Sequence, residues 1–227
     1  MRGLFVTGTD TGAGKSYVTA SIAAALTARG EPLLVRKPLL TGMDDPSEGL
    51  RDDELLALAI GSSSTAGISK RKFGPAVSPH LAAAEAGVQL DAAEIAAELL
   101  AETKAGGSLL VEGVGGLLVP ISQTESVRDL ATALGLAVVV AARPGLGTIS
   151  HTLLTVESAR AVGLEVKLIV FGPWSDSPTA LELDNRATVA RISGIEVATI
   201  PEISEPSQAA FAEAGSGLPI DSLLPSR

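Results

Sequence analysis

Nine residues near the N-terminus constrain this chain more than any others. Gly8-Thr9-Asp10-Thr11-Gly12-Ala13-Gly14-Lys15-Ser16 lies between a short apolar run and a long helical pattern. Its glycines let the backbone curl so that successive N–H groups point inward, and a helix opening at Lys15 adds partial positive charge. Such a loop holds a phosphate. Lys15 is placed to reach the outer phosphates of a nucleoside triphosphate, and the Ser16 hydroxyl to ligate Mg2+. Five residues separate Gly8 from Gly14 where the general pattern has four, but the Gly-Lys-Ser end is intact.

The rest of the chain supplies the setting that this loop requires. Apolar runs at 3–7, 32–36, 108–111, 136–141, 166–171 and 196–200 are too short for helices and continuous rather than alternating. That pattern predicts strands buried on both faces, as in a parallel sheet. Helical patterns fall between them at 16–28, 53–60, 92–102, 126–134, 148–162 and 179–192, with Asp91 as a candidate N-cap. The alternation predicts an α/β fold: an open, mostly parallel sheet with helices on both faces, of the P-loop NTPase type, built as one domain over 1–227. Stretches 42–48 and 61–79 read as long loops, and the last dozen residues, rich in Pro, Gly and Ser, as a loose tail. A dinucleotide-binding fold is excluded: Lys15, Ser16 and Tyr17 follow Gly12-Ala13-Gly14, and Arg36-Lys37 stands where an acidic residue is needed.

Composition removes other classes. Of 227 residues, 17 are basic and 26 acidic, a net charge of −9 that disfavours nucleic acid as a partner. Cysteine is absent, which excludes disulfides, iron–sulfur sites and a thiol nucleophile and suits a cytoplasmic location. The apolar run at 134–142 falls short of the roughly 20 residues that span a bilayer, so no membrane role is expected.

In a sheet of this kind ligands gather at the carboxyl ends of strands, and the polar residues there carry the chemistry. Lys37, followed by Pro38 and Thr41-Gly42, offers a cation for a transferring phosphoryl group or a substrate oxyanion. Glu112 closes an apolar strand before Gly113-Val114-Gly115-Gly116 and is a candidate metal carboxylate. Asp52-Asp53-Glu54 offers a second, and Asp53 is the preferred member. The segment 144–151, from a strand into a helix, exposes N–H groups suited to a carboxylate. His80 and His151 have no partner at metal-ligand spacing and read as hydrogen-bonding or capping groups.

Together, Gly8-Thr9-Asp10-Thr11-x-x-Gly14-Lys15-Ser16, Lys37-Pro38-x-x-Thr41-Gly42, Ser78-Pro79-His80, Val111-Glu112-Gly113-x-Gly115-Gly116 and Leu146-Gly147-Thr148-Ile149 occur in the order found in dethiobiotin synthases. The resemblance spans about residues 3–203. It implies ring closure of 7,8-diaminononanoate with CO2 and ATP or another nucleoside triphosphate, with Mg2+, through a carbamate and a carbamic–phosphoric anhydride. It also implies roles. Lys37, Lys15 and Thr11 are catalytic, and Ser16, Asp53 and Glu112 hold Mg2+. The nucleotide lies against Gly12, Ala13, Gly14, Lys15, Ser16, Tyr17, Gly172, Pro173, Pro201, Glu202 and Ile203. The substrate lies against Thr41, Gly115, Leu146, Gly147, Thr148 and Ser150. Members of the family are homodimers with the site at the subunit interface, where the partner's Gly-Thr helix start holds the substrate tail.

Two departures are visible. Ser150 stands where the family often has Asn, and Gly172-Pro173-Trp174 replaces an Asn that reads adenine, which implies loose base selection. Two other functions compete. Partitioning and division-site switch ATPases share the loop but carry an extra lysine early in it, where this chain has Asp10-Thr11. Another amide-forming synthetase of the same fold is the second alternative.

Overall fold

The apolar runs become strands because their alternate residues serve two separate cores. The computed structural model describes residues 2–45, 49–103 and 107–224. Its strands are β1 (Gly3–Gly8), β2 (Leu33–Arg36), β3 (Leu39–Leu40), β4 (Arg71–Lys72), β5 (Ser108–Gly116), β6 (Ala137–Ala142), β7 (Val166–Trp174) and β8 (Val197–Pro201). Six of them form one sheet in the order β2-β5-β1-β6-β7-β8, with every pairing parallel. Along β1, Leu4 and Val6 face one core and Phe5 the other; along β6, Val139 and Ala141 are divided in the same way from Val138 and Val140.

The helices are α1 (Lys15–Ala28), α2 (Asp52–Ala59), α3 (Pro79–Glu85), α4 (Ala92–Glu102), α5 (Val127–Leu134), α6 (Thr148–Arg160), α7 (Ala180–Ser193), α8 (Gln208–Ser216) and α9 (Ile220–Leu223). Helices α1, α2, α8 and α9 cover one face, and α3 to α7 contribute to the core on the other. Asp91 does cap α4, accepting from the Glu94 N–H at 2.8 Å. The chain leaves β1 toward β2 on one side of the sheet and leaves β6 toward β8 on the other. That reversal places a crevice at the carboxyl end of β1.

Two expectations need correction. Stretch 61–79 is not one long loop: it contains β4, paired with β3, and delivers Pro79 as the first residue of α3. The Phe73 N–H donates to the Leu40 carbonyl and the Lys37 N–H to the Ile68 carbonyl, so this stretch braces the segment after Lys37. Two-residue strands, one of them Arg-Lys, are too short and too polar to leave a periodic signal. Nor is the end of the chain a loose tail through residue 224. Leu218, Ile220, Leu223 and Leu224 are buried in the core beneath α1. Their spacing across Pro219 hides a single turn of helix. Expected loop residues 46–48 and tail residues 225–227 lie outside the described residues.

Helices α1 and α8 meet so closely that only glycine fits at one crossing point. A Cβ on Gly215 would lie 2.1 Å from the Ser21 carbonyl oxygen and 2.9 Å from Ala25 Cβ. Since α1 carries Lys15 and Ser16, overpacking there would also disturb the phosphate loop. Gly215→Ala is expected to lower stability by about 1–3 kcal/mol despite the better helix propensity of alanine. Urea unfolding followed by circular dichroism measures it; an unchanged midpoint would refute the close crossing.

Candidate active site

The phosphate loop starts where β1 ends and wraps back over its own lysine. A Cβ on Gly8 would meet Lys15 Cγ at 3.0 Å and the Asp10 carbonyl oxygen at 3.1 Å, so a side chain there would press on the loop. Gly12 and Gly14 hold φ of 70° and 84°, in the left-handed region that side chains disfavour. Lys15 is buried, and its Nζ donates to the Asp10 carbonyl at 3.2 Å. Burial pushes its pKa below the ordinary lysine value, with Glu112 opposing that shift and Lys37 adding to it. An anion in the loop would reverse the effect.

Beside the loop lies a buried cluster of charge. Lys37, only 2% exposed, donates to Asp52 Oδ2 at 2.5 Å and to Glu112 Oε1 at 2.6 Å. Burial alone would depress this lysine, but Glu112 and Asp52 more than offset it and hold its pKa above the usual value. Partial burial would raise Asp52; Lys37 and the Ser16 hydroxyl outweigh it, and its carboxyl sits below the usual carboxylate range. The three groups come from the end of β2, the start of α2 and the middle of β5; the parallel pairing of β2 with β5 brings Lys37 to Glu112, and α2 adds Asp52.

The donor set fits Mg2+. Ser16 Oγ lies 2.7 Å from Asp52 Oδ1 and 2.8 Å from Glu112 Oε1, yet a hydroxyl has one proton for two carboxylates. Glu112 Oε2 is fully buried with no partner among the described residues. Hard oxygen donors with an orphaned acceptor suit a small divalent cation.

Of the three adjacent acids, the structure turns Asp52 toward Ser16 and not Asp53, the member preferred from the sequence. Asp53 is fully buried on another side of α2, where Lys72 of β4 donates to its Oδ2 at 2.5 Å. Glu54 turns back to accept the Arg51 N–H at 2.8 Å and closes the helix start. Successive helical residues are rotated by about 100°, so three adjacent acids face three directions. Only the docking of α2 decides which one faces Ser16.

A cleft of about 720 Å³ opens over this cluster, lined by Thr11, Gly12, Gly14, Lys15, Ser16, Tyr17, Lys37, Thr41, Asp52 and Gly115. Its apolar wall comes from Leu40, Leu50, Ala76, Val77, Val114 and Val119, with Ser78 among them. Composition and spacing did not point to that wall. A second pocket of about 190 Å³ adjoins it across Gly14 and Tyr17. Gly172, Pro173, Pro201, Glu202 and Ile203 line this pocket with Ile200, so the expected base-contacting residues do converge. Ala13 is buried beneath the loop. Leu146, Gly147, Thr148 and Ser150 do not line the cleft of their own chain. Leu146 is 91% exposed, and Thr148 is buried against Thr152 at the start of α6. His80 hydrogen-bonds Ser78 through Nδ1 at 2.8 Å, and His151 is exposed on α6.

The charge cluster yields a stability prediction with a definite sign. The raised Lys37 contributes through neutral pH and loses its effect as pH rises through its folded-state pKa. The depressed Asp52 contributes above the usual carboxylate range and loses its effect as pH falls through its own. Lys37→Met strands Glu112 without its cation, so it is expected to cost about 3 kcal/mol at pH 7. That deficit should shrink as pH falls through the depressed pKa of Asp52. Urea titrations of both proteins across pH measure it; a deficit independent of pH would contradict the pairing.

Comparison with known proteins agrees with this geometry. A family model described as an AAA domain matches residues 2–210. The chain is 40% identical to the ATP-dependent dethiobiotin synthetase BioD of an Anaeromyxobacter species, over 86% of this chain and 87% of that one. It is 39% identical to the protein of the same name from Mycobacterium avium, over 85% of this chain and 84% of that one. Among solved structures, the cell division ATPase MinD of Pyrococcus furiosus superposes with a TM-score of 0.54 at 16% identity, covering 95% of this chain and 97% of the other. The septum site-determining protein MinD of Pyrococcus horikoshii, solved with Mg-ADP, gives 0.53 at 14% identity, with 94% of each chain covered. At such identity these two show the fold alone, a P-loop NTPase sheet. Sequence identity near 40% over most of the length places the chain in the ATP-dependent dethiobiotin synthetase family of ligases.

Proposed function

We propose that this chain closes the ureido ring of dethiobiotin from 7,8-diaminononanoate, CO2 and a nucleoside triphosphate. The observation that carries the reading is Lys37, a buried cation opening onto the same cleft as the phosphate-loop Lys15. One amine of the substrate adds to CO2 and releases a proton, giving a carbamate. The carbamate oxygen then bonds to the γ-phosphorus as the bond to the nucleoside diphosphate breaks. The second amine attacks the carbamic carbon, expels phosphate and loses its proton, which completes the ring.

Transfer of this kind needs positioning and charge neutralisation more than covalent help. Lys15 and the loop N–H groups hold the outer phosphates, and Lys37 faces the charge shared between carbamate and γ-phosphate. Thr11 and Thr41 provide hydroxyls along the same cleft. Ser16, Asp52 and Glu112 would hold Mg2+, which when bound neutralises phosphate charge. The substrate-side groups Leu146, Gly147, Thr148 and Ser150 come from a second copy in a homodimer, a reading supported by their position outside the cleft of their own chain. A division-site switch shares the fold, but Asp10-Thr11 stands in place of its extra lysine. No helix among the described residues is long and apolar enough to cross a membrane.

Phosphate release with Mg2+, ATP and bicarbonate is expected to depend on the diamine, with one product of dethiobiotin mass per phosphate. Hydrolysis indifferent to the diamine would reject the reading. Lys37→Ala should lower kcat at least about a hundredfold, the scale of losing a charge-stabilising donor. Among the described residues, those that line the second pocket include no side-chain amide to discriminate bases. ATP, GTP and CTP are therefore expected to give kcat/KM within about tenfold of one another, and turnover confined to ATP would contradict this. Mixing Lys37→Ala with Gly147→Asp, each inactive alone, should restore about a quarter of wild-type activity through mixed dimers carrying one intact site. No recovery after subunit exchange would place the site within one chain.

A further inference from the structure

One buried amide outside the cleft has no part in the chemistry described so far. Asn185 lies within α7 and is only 3% exposed. Asparagine is a poor helix former, and burying its amide is costly unless the amide is hydrogen-bonded. Asn185 makes those bonds outside its own helix. Its Nδ2 donates to the Pro144 carbonyl at 2.9 Å and to the Gly145 carbonyl at 3.1 Å. Two carbonyls can be met only by the NH2 end of the group, and this uses both of its protons. The segment held in this way joins β6 to α6, where Gly145 and Gly147 would otherwise leave the backbone free. In a trans peptide the C=O and the following N–H point in opposite directions, and both peptides here are trans. Fastening the Pro144 and Gly145 carbonyls to α7 therefore aims the Gly145 and Leu146 N–H groups away from it. Neither N–H meets a backbone acceptor among the described residues.

We propose that Asn185 is a positioning residue for the substrate tail. By clamping two carbonyls it turns the Gly145 and Leu146 N–H groups toward the carboxylate of a diamine bound in the cleft of a second copy. Asn185 touches no substrate; it acts through the backbone of 144–146. The free N–H groups at the start of α6, which Gly147 opens at a φ of 89°, add to the same positive end. Without the amide, the two carbonyls would lose their fixed partner and the glycine-rich turn would sample orientations that point the N–H groups elsewhere. The inference rests on the ring-closing reading given above, with the helix start of one copy serving the other.

The experiment compares steady-state phosphate release with two diamines: 7,8-diaminononanoate and 2,3-diaminononane, in which a methyl group replaces the carboxylate. The proteins are wild type, Asn185→Leu, Asn185→Ser and Val189→Ala, with thermal unfolding of each. Asn185→Leu is expected to raise KM for the acid roughly tenfold, the scale of one hydrogen bond to a charged group. KM for 2,3-diaminononane and for ATP should stay within about twofold, because only binding of the carboxylate is lost. Asn185→Ser, which keeps a short donor, should show a smaller rise of the same selectivity and decides the matter if the leucine variant does not fold. Val189→Ala removes packing one turn further along α7, so it should lower Tm and leave every KM near wild type. An unaltered KM for the acid in the folded Asn185 variants would overturn the proposal. So would equal rises for both diamines, or the same rise in Val189→Ala, since either would reduce Asn185 to a support of the fold. Wild-type protein that binds the two diamines equally well would instead overturn the reading that a helix start holds the tail, and this inference with it. Wild-type protein without diamine-dependent turnover would overturn the ring-closing reading itself.

Discussion

A lysine ammonium buried between two carboxylates is the constraint on which the rest of this structure depends. Lys37, Asp52 and Glu112 come from three places in the chain, and desolvating any one without the others would be costly. Their mutual pairing dictates how closely the end of β2, the start of α2 and the middle of β5 must approach. It also places a cation within reach of the phosphate loop without a surface charge having to fold inward. Ser16 joins the cluster from α1, so the helix behind the glycine-rich loop and the charge cluster are one hydrogen-bonded unit.

That unit needs rigid support, and the support is mostly hidden in unremarkable segments. The small β3–β4 pairing and the Phe73–Leu40 bond brace the chain just after Lys37. Asp53, turned away from the site, anchors the start of α2 to Lys72 of β4. The same ribbon that carries Thr41 into the cleft therefore also orients Asp52. On the opposite side, the tight approach of Gly215 to Ser21 fixes α1, and with it Lys15 and Ser16, against α8.

The cleft divides its labour by chemistry. In the proposed reaction, glycine-rich backbone and buried cations would meet phosphate, the small pocket beyond Gly14 and Tyr17 would receive the base, and the largely apolar wall would face the substrate chain. Exposure of Leu146 beside an N–H-rich helix start is consistent with a second copy completing that wall.

Much of this was legible before any coordinates. Continuous apolar runs bounded by turn residues predict buried parallel strands because both sheet faces are covered, and all six main strands follow them. The phosphate loop, Lys37, Thr41, Glu112 and the residues of the second pocket were readable because each lies at or beyond the end of an apolar run, and a parallel sheet gathers such ends at one edge. Periodicity is silent about short or polar elements, so β3, β4, α3 and α9 left no trace of that kind. Spacing is equally silent about side-chain direction: the choice of Asp52 over Asp53 depends on how α2 is rotated against Lys72 and Lys37. The sequence by itself determined which groups could handle a nucleoside triphosphate, because glycines, lysine and hydroxyl at that spacing have few other uses. Only the tertiary structure decided which acid faces Ser16 and which tail residues are core, because those follow from packing between segments far apart in the chain.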